Sequence, residues 1–270
     1  NVDVRRFFKA DALWHAHDPR YRASAVLVAP GPEALAGIRR IDEPVADLLS
    51  RFDQALVTAL RDAGLCSMPG GGAEIFDDRV HEEAFKNKVG EAEWFDVHRT
   101  AHELGMATNA TMLYGHIESR AERLRHLIKL REHQDDSIQS RPARFNCIVP
   151  LSFIPDGSAL SDLSGPTGLE DLKTLAVSRL MLDNFDHVKA FWIMQTPKLA
   201  QVSLNWGVDD IDGTVVYYDI TKRESAGTTH QELSVDNLKR LIREAGCTPV
   251  ERDTLYRRVE RSKGNWRVLS

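Results

Sequence analysis

The chain is short of cysteine, of long apolar runs and of any surplus of charge of one sign, and each shortage removes a class of protein. Its 270 residues include three cysteines, Cys66, Cys147 and Cys247. An odd number, widely spaced, builds neither a disulfide framework nor a CxxC-type metal knuckle, and it fits a reducing compartment. No stretch approaches the roughly 18 consecutive apolar residues of a membrane span, and no signal-like segment opens the chain, so a cytoplasmic location and no membrane partner are expected. The 35 basic and 40 acidic residues are spread along the sequence and leave a formal charge of -5. No basic face emerges to hold a phosphate backbone, and nucleic acid is excluded as the expected partner.

What is present is an ordinary globular composition, 42% hydrophobic and 28% charged, sufficient for one large domain that buries roughly three quarters of its unfolded surface. Periodicity and turn signals alternate in a βα rhythm. Strands are predicted over 23–29, 65–68, 107–113, 146–153 and 189–194. Helices are predicted over 45–63, 92–104, 120–136, 169–182 and 235–245, several of them stopped by glycine. This series indicates an α/β fold, part or all of a (β/α) TIM-type barrel, whose function sits at the carboxyl ends of the strands.

The residues at those ends are the candidates. Gly70, Gly71 and Gly72 let the backbone approach a ligand, and Glu74 suits a ribose diol or an ammonium group; a tight βα turn with a helix-capping carboxylate reads the same residues without a ligand. Asn109 and Thr111 alternate with apolar neighbours and give one polar strand face, consistent with a pocket. Tyr114, Gly115, His116 and Glu118 follow, with Glu118 equally suited to the start of the next helix. Asp209, Asp210 and Asp212 cluster before a predicted strand, where Asx-turn chemistry competes with cation binding. Arg179 and Asp183 are spaced to pair with each other on a helix. Lys189 faces either a carboxylate ligand or solvent, and Gln201 is equally open. His98 and His102 share a zinc-compatible spacing without the HExxH glutamate, so a structural role is expected. His15 and His17 form an HxH pair of the kind that opens metal-dependent hydrolase barrels.

The blocks LCSMPGGGAEIF (65–76), WFDVHRTAHELGMATNATMLYGHIES (94–119), SRLMLDN (178–184) and KLAQVSLNWGVDDIDGT (198–214) resemble aminofutalosine synthase, a radical S-adenosylmethionine enzyme of menaquinone biosynthesis. The resemblance runs over roughly residues 64 to 262. It implies a barrel of the radical S-adenosylmethionine class with two cofactors, S-adenosylmethionine and a [4Fe-4S] cluster. The small-molecule substrate it implies is 3-[(1-carboxyvinyl)oxy]benzoate. By the same resemblance Gly70, Gly71, Gly72 and Glu74 flank the ribose and carboxylate of S-adenosylmethionine, Tyr114, Gly115 and Glu118 lie near its adenosine, and Pro150 presents backbone to the adenine. Asn109, Thr111 and His116 are candidate substrate-binding positions, and Arg179, Asp183, Asn184, Gln201, Asp209 and Asp210 match family positions placed around the substrate or just behind it.

One departure is plain: the family's CxxxCxxC cluster run is absent. Residues 1–63 form a divergent segment with a possible barrel strand and helix, and 64–270 the carboxyl-terminal part of the barrel. The simplest expectation is a fragment that begins after the cluster loop, inactive alone, with the cluster and its ligands in the full-length protein. Two alternatives stay open: a metal-dependent hydrolase barrel built on His15 and His17, and a cluster-free remnant that binds S-adenosylmethionine.

Overall fold

The computed structural model describes residues 54–62, 64–213, 233–262 and 265–269. The predicted strand 23–29, most of the helix predicted over 45–63, and His15 and His17 lie outside the described residues.

After helix α1 (Gln54–Asp62), five strands form one parallel sheet in chain order: β1 (Ser67–Met68), β2 (Ala107–Tyr114), β3 (Phe145–Ser152), β4 (His187–Ala190) and β5 (Asp210–Ile211). The crossovers carry the short helix α2 (Asp78–Val80) with a π-turn over His81–Phe85, then α3 (Glu91–Glu103), α4 (Arg120–Ser140) and α5 (Gly168–Met181). Between β4 and β5 lie α6 (Trp192–Gln195) and α7 (Pro197–Ser203), and the chain ends in α8 (Val235–Glu244) and the hairpin β6 (Val259–Ser262) and β7 (Asn265–Val268). An all-parallel sheet with sequential helical crossovers is an open segment of a (β/α) barrel.

Local chemistry sets the boundaries. Ser119 accepts the amide of Glu122 while the Glu122 carboxylate accepts the amide of Ser119, a capping box that starts α4. Thr167 caps α5 by accepting the amide of Glu170 with its hydroxyl. Gly105 turns α3 into β2 at φ +77°.

Alternation divides the sheet into two faces. Ala110, Met112 and Tyr114 of β2, Ile148 of β3, and Val188 and Ala190 of β4 are buried in one core with Trp94, Leu127, Leu130 and Leu175 of the helices. Asn109 pairs in register with Cys147, and Thr111 with Val149, on the opposite, inner face. A register shift between Thr108 and Asn109 lets Phe145 join the helix side together with Ile148. Phe145 stacks on Trp94 and Phe185 at 5.7 and 5.5 Å and anchors the aromatic part of that core.

Three expectations are corrected. The strand predicted over 189–194 occupies His187–Ala190, and Trp192–Gln195 is a helical turn. Tertiary bonds hold that turn: the Trp192 indole donates to the carbonyls of Asp212 and Gly213, and the Gln195 amide donates to the Pro150 carbonyl. The acidic turn at 209–212 contains the strand β5 itself, paired with Lys189 and Ala190. The helix predicted to end at 136 continues to Ser140.

The segment that follows α8 reaches the inner face. Arg252 pairs with Asp210 through two bonds of 3.0 and 2.5 Å, the Tyr256 hydroxyl donates to Asp210 at 2.7 Å, and the Tyr256 ring stacks on His187 at 3.9 Å.

Candidate active site at the carboxyl ends of the strands

The loop after β1 is locked onto β2. A Cβ at Gly70 would stand 2.0 Å from the Asn109 carbonyl oxygen, so only glycine permits that approach. Thr111 donates its hydroxyl to the Gly70 carbonyl at 2.6 Å, and the Leu113 amide donates to the Glu74 carbonyl at 3.0 Å. Glu74 is held in the left-handed region, φ +42°, with its carboxylate 3.4 Å from the Lys88 ammonium. A Cβ built at Gly71 meets no atom of the described residues within 4 Å.

The loop after β2 turns at Gly115, φ +90°, pressed against Pro166. The Glu118 carboxylate is fully buried and organises this loop. It accepts the amides of Gly115 and His116 at 2.6 and 2.9 Å and two bonds from Arg123 at 3.2 and 2.5 Å. His116 donates from Nε2 to the Leu113 carbonyl at 3.0 Å, and its buried Nδ1, 3.3 Å from Glu118, has no hydrogen-bond partner among the described residues. Burial lowers the pKa of His116 and outweighs the opposing pull of Glu118, so the ring is a neutral acceptor on its Nδ1 side.

Tyr114 and Pro150 face the other way. Tyr114 is fully buried on the helix side, donates to Asp171 at 2.7 Å and accepts from Gln195 at 3.3 Å. Burial, followed by the Asp171 charge, pushes its phenol well above the ordinary value. The Pro150 carbonyl is engaged by Gln195. Asn109 and Thr111 lie on the inner face.

The remaining substrate-side positions gather elsewhere. Arg179 binds Asp209 at 2.6 Å, and Asp209 also accepts from His187 and from the Val188 amide at the amino-terminal end of β4. Asp183 pairs with Arg131 in the loop that enters β4, and Asn184 donates to the Arg131 carbonyl and to Asp135. Gln201 donates to the Leu241 carbonyl at 3.0 Å, tying α7 to α8. Arg179, Asp183, Asn184 and Asp209 therefore stand at the end of the sheet opposite Glu74 and Glu118, while Asp210 lies on the inner face beside Lys189. The Arg252 and Tyr256 partners of Asp210 were missed by the sequence reading, because no local pattern announces a contact made across more than forty residues.

His98 and His102 are buried in a structural network: both bond the Thr108 hydroxyl, at 2.8 and 2.9 Å, and His102 also bonds Ser137. Among the described residues no group of three or more histidine, cysteine, aspartate or glutamate side chains is arranged to hold a metal ion. Cys66 is exposed, Cys147 lies buried on the inner face and Cys247 follows α8, so these three do not fit an iron-sulfur cluster.

A parallel sheet with sequential crossovers and a polar inner face defines a partial (β/α) barrel with its candidate site at the strands' carboxyl ends. Residues 143–264 match the CofH/MqnC C-terminal region. It is 50% identical over 208 residues to an aminodeoxyfutalosine synthase of Thermus thermophilus, covering 76% of this chain and 54% of the relative. A Streptomyces coelicolor aminodeoxyfutalosine synthase is 42% identical over 219 residues, covering 77% and 55%. A 5-amino-6-(D-ribitylamino)uracil–L-tyrosine 4-hydroxyphenyl transferase of Methanosarcina acetivorans is 40% identical over 240 residues, covering 86% and 60%. The chain thus spans a little over half the length of these curated relatives.

Proposed function

We propose that this chain is the substrate- and nucleoside-binding part of an aminofutalosine synthase of the radical S-adenosylmethionine class. The observation that carries the reading is the 50% identity over 208 residues to the Thermus thermophilus aminodeoxyfutalosine synthase. The reaction is addition of a 5'-deoxyadenosyl radical to the enol-ether double bond of 3-[(1-carboxyvinyl)oxy]benzoate, followed by rearrangement with decarboxylation to aminofutalosine. S-adenosylmethionine, reduced by a [4Fe-4S] cluster, supplies the radical when both are bound. The cluster's ligands are not among the described residues, and no step through it is assigned to this chain.

The donor set after β1 fits S-adenosylmethionine. The Glu74 carboxylate suits an ammonium or ribose hydroxyls, and Gly71 leaves open backbone against which a nucleoside can lie. The Nδ1 of His116, without a hydrogen-bond partner among the described residues, is an acceptor for a donor near the next strand end. Gly115 and Glu118 keep that loop in shape. The polar inner face at Asn109 and Thr111 orients the second reactant, and the surrounding protein excludes water from the radical.

The test is turnover by the full-length polypeptide after anaerobic iron-sulfur reconstitution. With S-adenosylmethionine and the enol ether, aminofutalosine is expected as product. No cleavage of S-adenosylmethionine, or cleavage without the adduct, overturns the proposal; an adduct formed from L-tyrosine and 5-amino-6-(D-ribitylamino)uracil would move the chain to the other activity named among its relatives.

A further inference from the structure

Lys189 is the one lysine or arginine carried by strands β1 to β5. Its neighbours Val188 and Ala190 are buried on the helix side, so alternation puts Lys189 on the inner face, in register with Asp210. Its side chain is 12% exposed and sits between two carboxylates without a close bond to either, 3.4 Å from Asp212 and 3.8 Å from Asp210. A well-made ammonium–carboxylate bond is about 2.7–2.9 Å long. An ammonium so enclosed, with donors underused among the described residues, gains from an added anionic acceptor.

Asp210 does not close on Lys189 because its oxygens are taken. Arg252 occupies both, at 3.0 and 2.5 Å, and the Tyr256 hydroxyl adds a third bond at 2.7 Å. Tyr256 adopts φ +60°, a left-handed conformation that a tyrosine rarely takes, and is held there between its stack on His187 and the Arg252 guanidinium 3.9 Å from its ring centroid. Strain sustained by so many contacts fixes the clamp in place.

We propose that Lys189 is the carboxylate-binding cation of the inner face, kept available to a small organic acid because Arg252 and Tyr256 hold Asp210 away from it. The inference rests on the reading under Proposed function, whose substrate bears two carboxylates.

The test measures binding without turnover. Calorimetry with the full-length polypeptide uses 3-(carboxymethoxy)benzoate, a dicarboxylate without the reactive double bond. The wild type binds it, Lys189→Gln weakens binding about tenfold or more, the loss expected of one charge-assisted bond, and Lys189→Arg restores most of it. Asp212→Asn removes a competing carboxylate and tightens binding about threefold, which decides the matter if the glutamine variant does not fold. Absence of binding by the wild type, a Lys189→Gln affinity within twofold of it, or no tightening in Asp212→Asn overturns the inference. If the dicarboxylate binds as predicted but the enol ether is not converted, the proposed activity fails and the Lys189 site stands.

Discussion

Tyr114 donates its hydroxyl hydrogen to the buried carboxylate of Asp171 across 2.7 Å, fastening the carboxyl end of β2 to α5. The same carboxylate oxygen accepts from Ser152 at the end of β3, so one aspartate joins two strand ends to one helix. The residues that shape the candidate site are thus anchored from behind, on the helix side.

Tyr114→Phe removes one of the two hydroxyls that serve a buried carboxylate. A loss of about 1–3 kcal/mol in urea unfolding is expected. Unchanged stability would mean that the bond contributes nothing to holding the strand ends.

The glycine loop contains its own control. Gly70→Ala forces a Cβ into the Asn109 backbone and is expected to disrupt the β1–β2 pairing, lowering the melting temperature by many degrees or abolishing folding. Gly71→Ala, whose Cβ meets no atom of the described residues within 4 Å, should stay within about 0.5 kcal/mol of wild type. Equal effects in thermal melts would contradict the close approach at Gly70.

Acid sensitivity follows from the buried imidazoles. Burial lowers the pKa of His102 and of His126 to about 3 and that of His133 to about 4, and it pushes His98 down as well. Each folded value lies below the ordinary 6.5, so the unfolded chain binds protons first as the pH falls. The stabilising contribution is complete above pH 6.5 and is lost progressively as the pH falls through the folded values, about 4 for His133 and about 3 for His102 and His126. Urea unfolding at pH 7.5 and pH 5 should differ by on the order of a few kcal/mol. His102→Gln should reduce that difference. A flat profile over this window would show that these rings are not neutral and buried in the native state.

Much of the architecture is legible in the sequence because its signals are local. The capping box of Ser119 and Glu122, the cap at Thr167 and the glycine stop at Gly105 mark their helices directly. The alternation that predicts a polar face at Asn109 and Thr111 also carries Tyr114 to the opposite side, a consequence available from parity alone. What stayed hidden depends on distant partners. The turn at Trp192–Gln195 is set by bonds to Asp212, Gly213 and Pro150, and β5 lies inside an acidic segment that reads as a turn. The candidate positions divided between the two ends of the sheet for a related reason: the charged side chains of Arg179, Asp183 and Asp209 look suited to a ligand, yet the last turn of α5 and the loops that enter β4 and β5 deliver them to the amino-terminal end.

The account stands on the carboxyl ends of the strands as the place where the nucleoside sits. Equilibrium dialysis of S-adenosylmethionine against the full-length polypeptide and two single variants tests this directly. Glu74→Gln should weaken binding about tenfold or more, as expected for loss of a charge-assisted bond. Asp183→Asn, at the far end of the sheet, should leave affinity within twofold of the unmodified protein. Weakened binding in Asp183→Asn with Glu74→Gln unaffected would contradict the account.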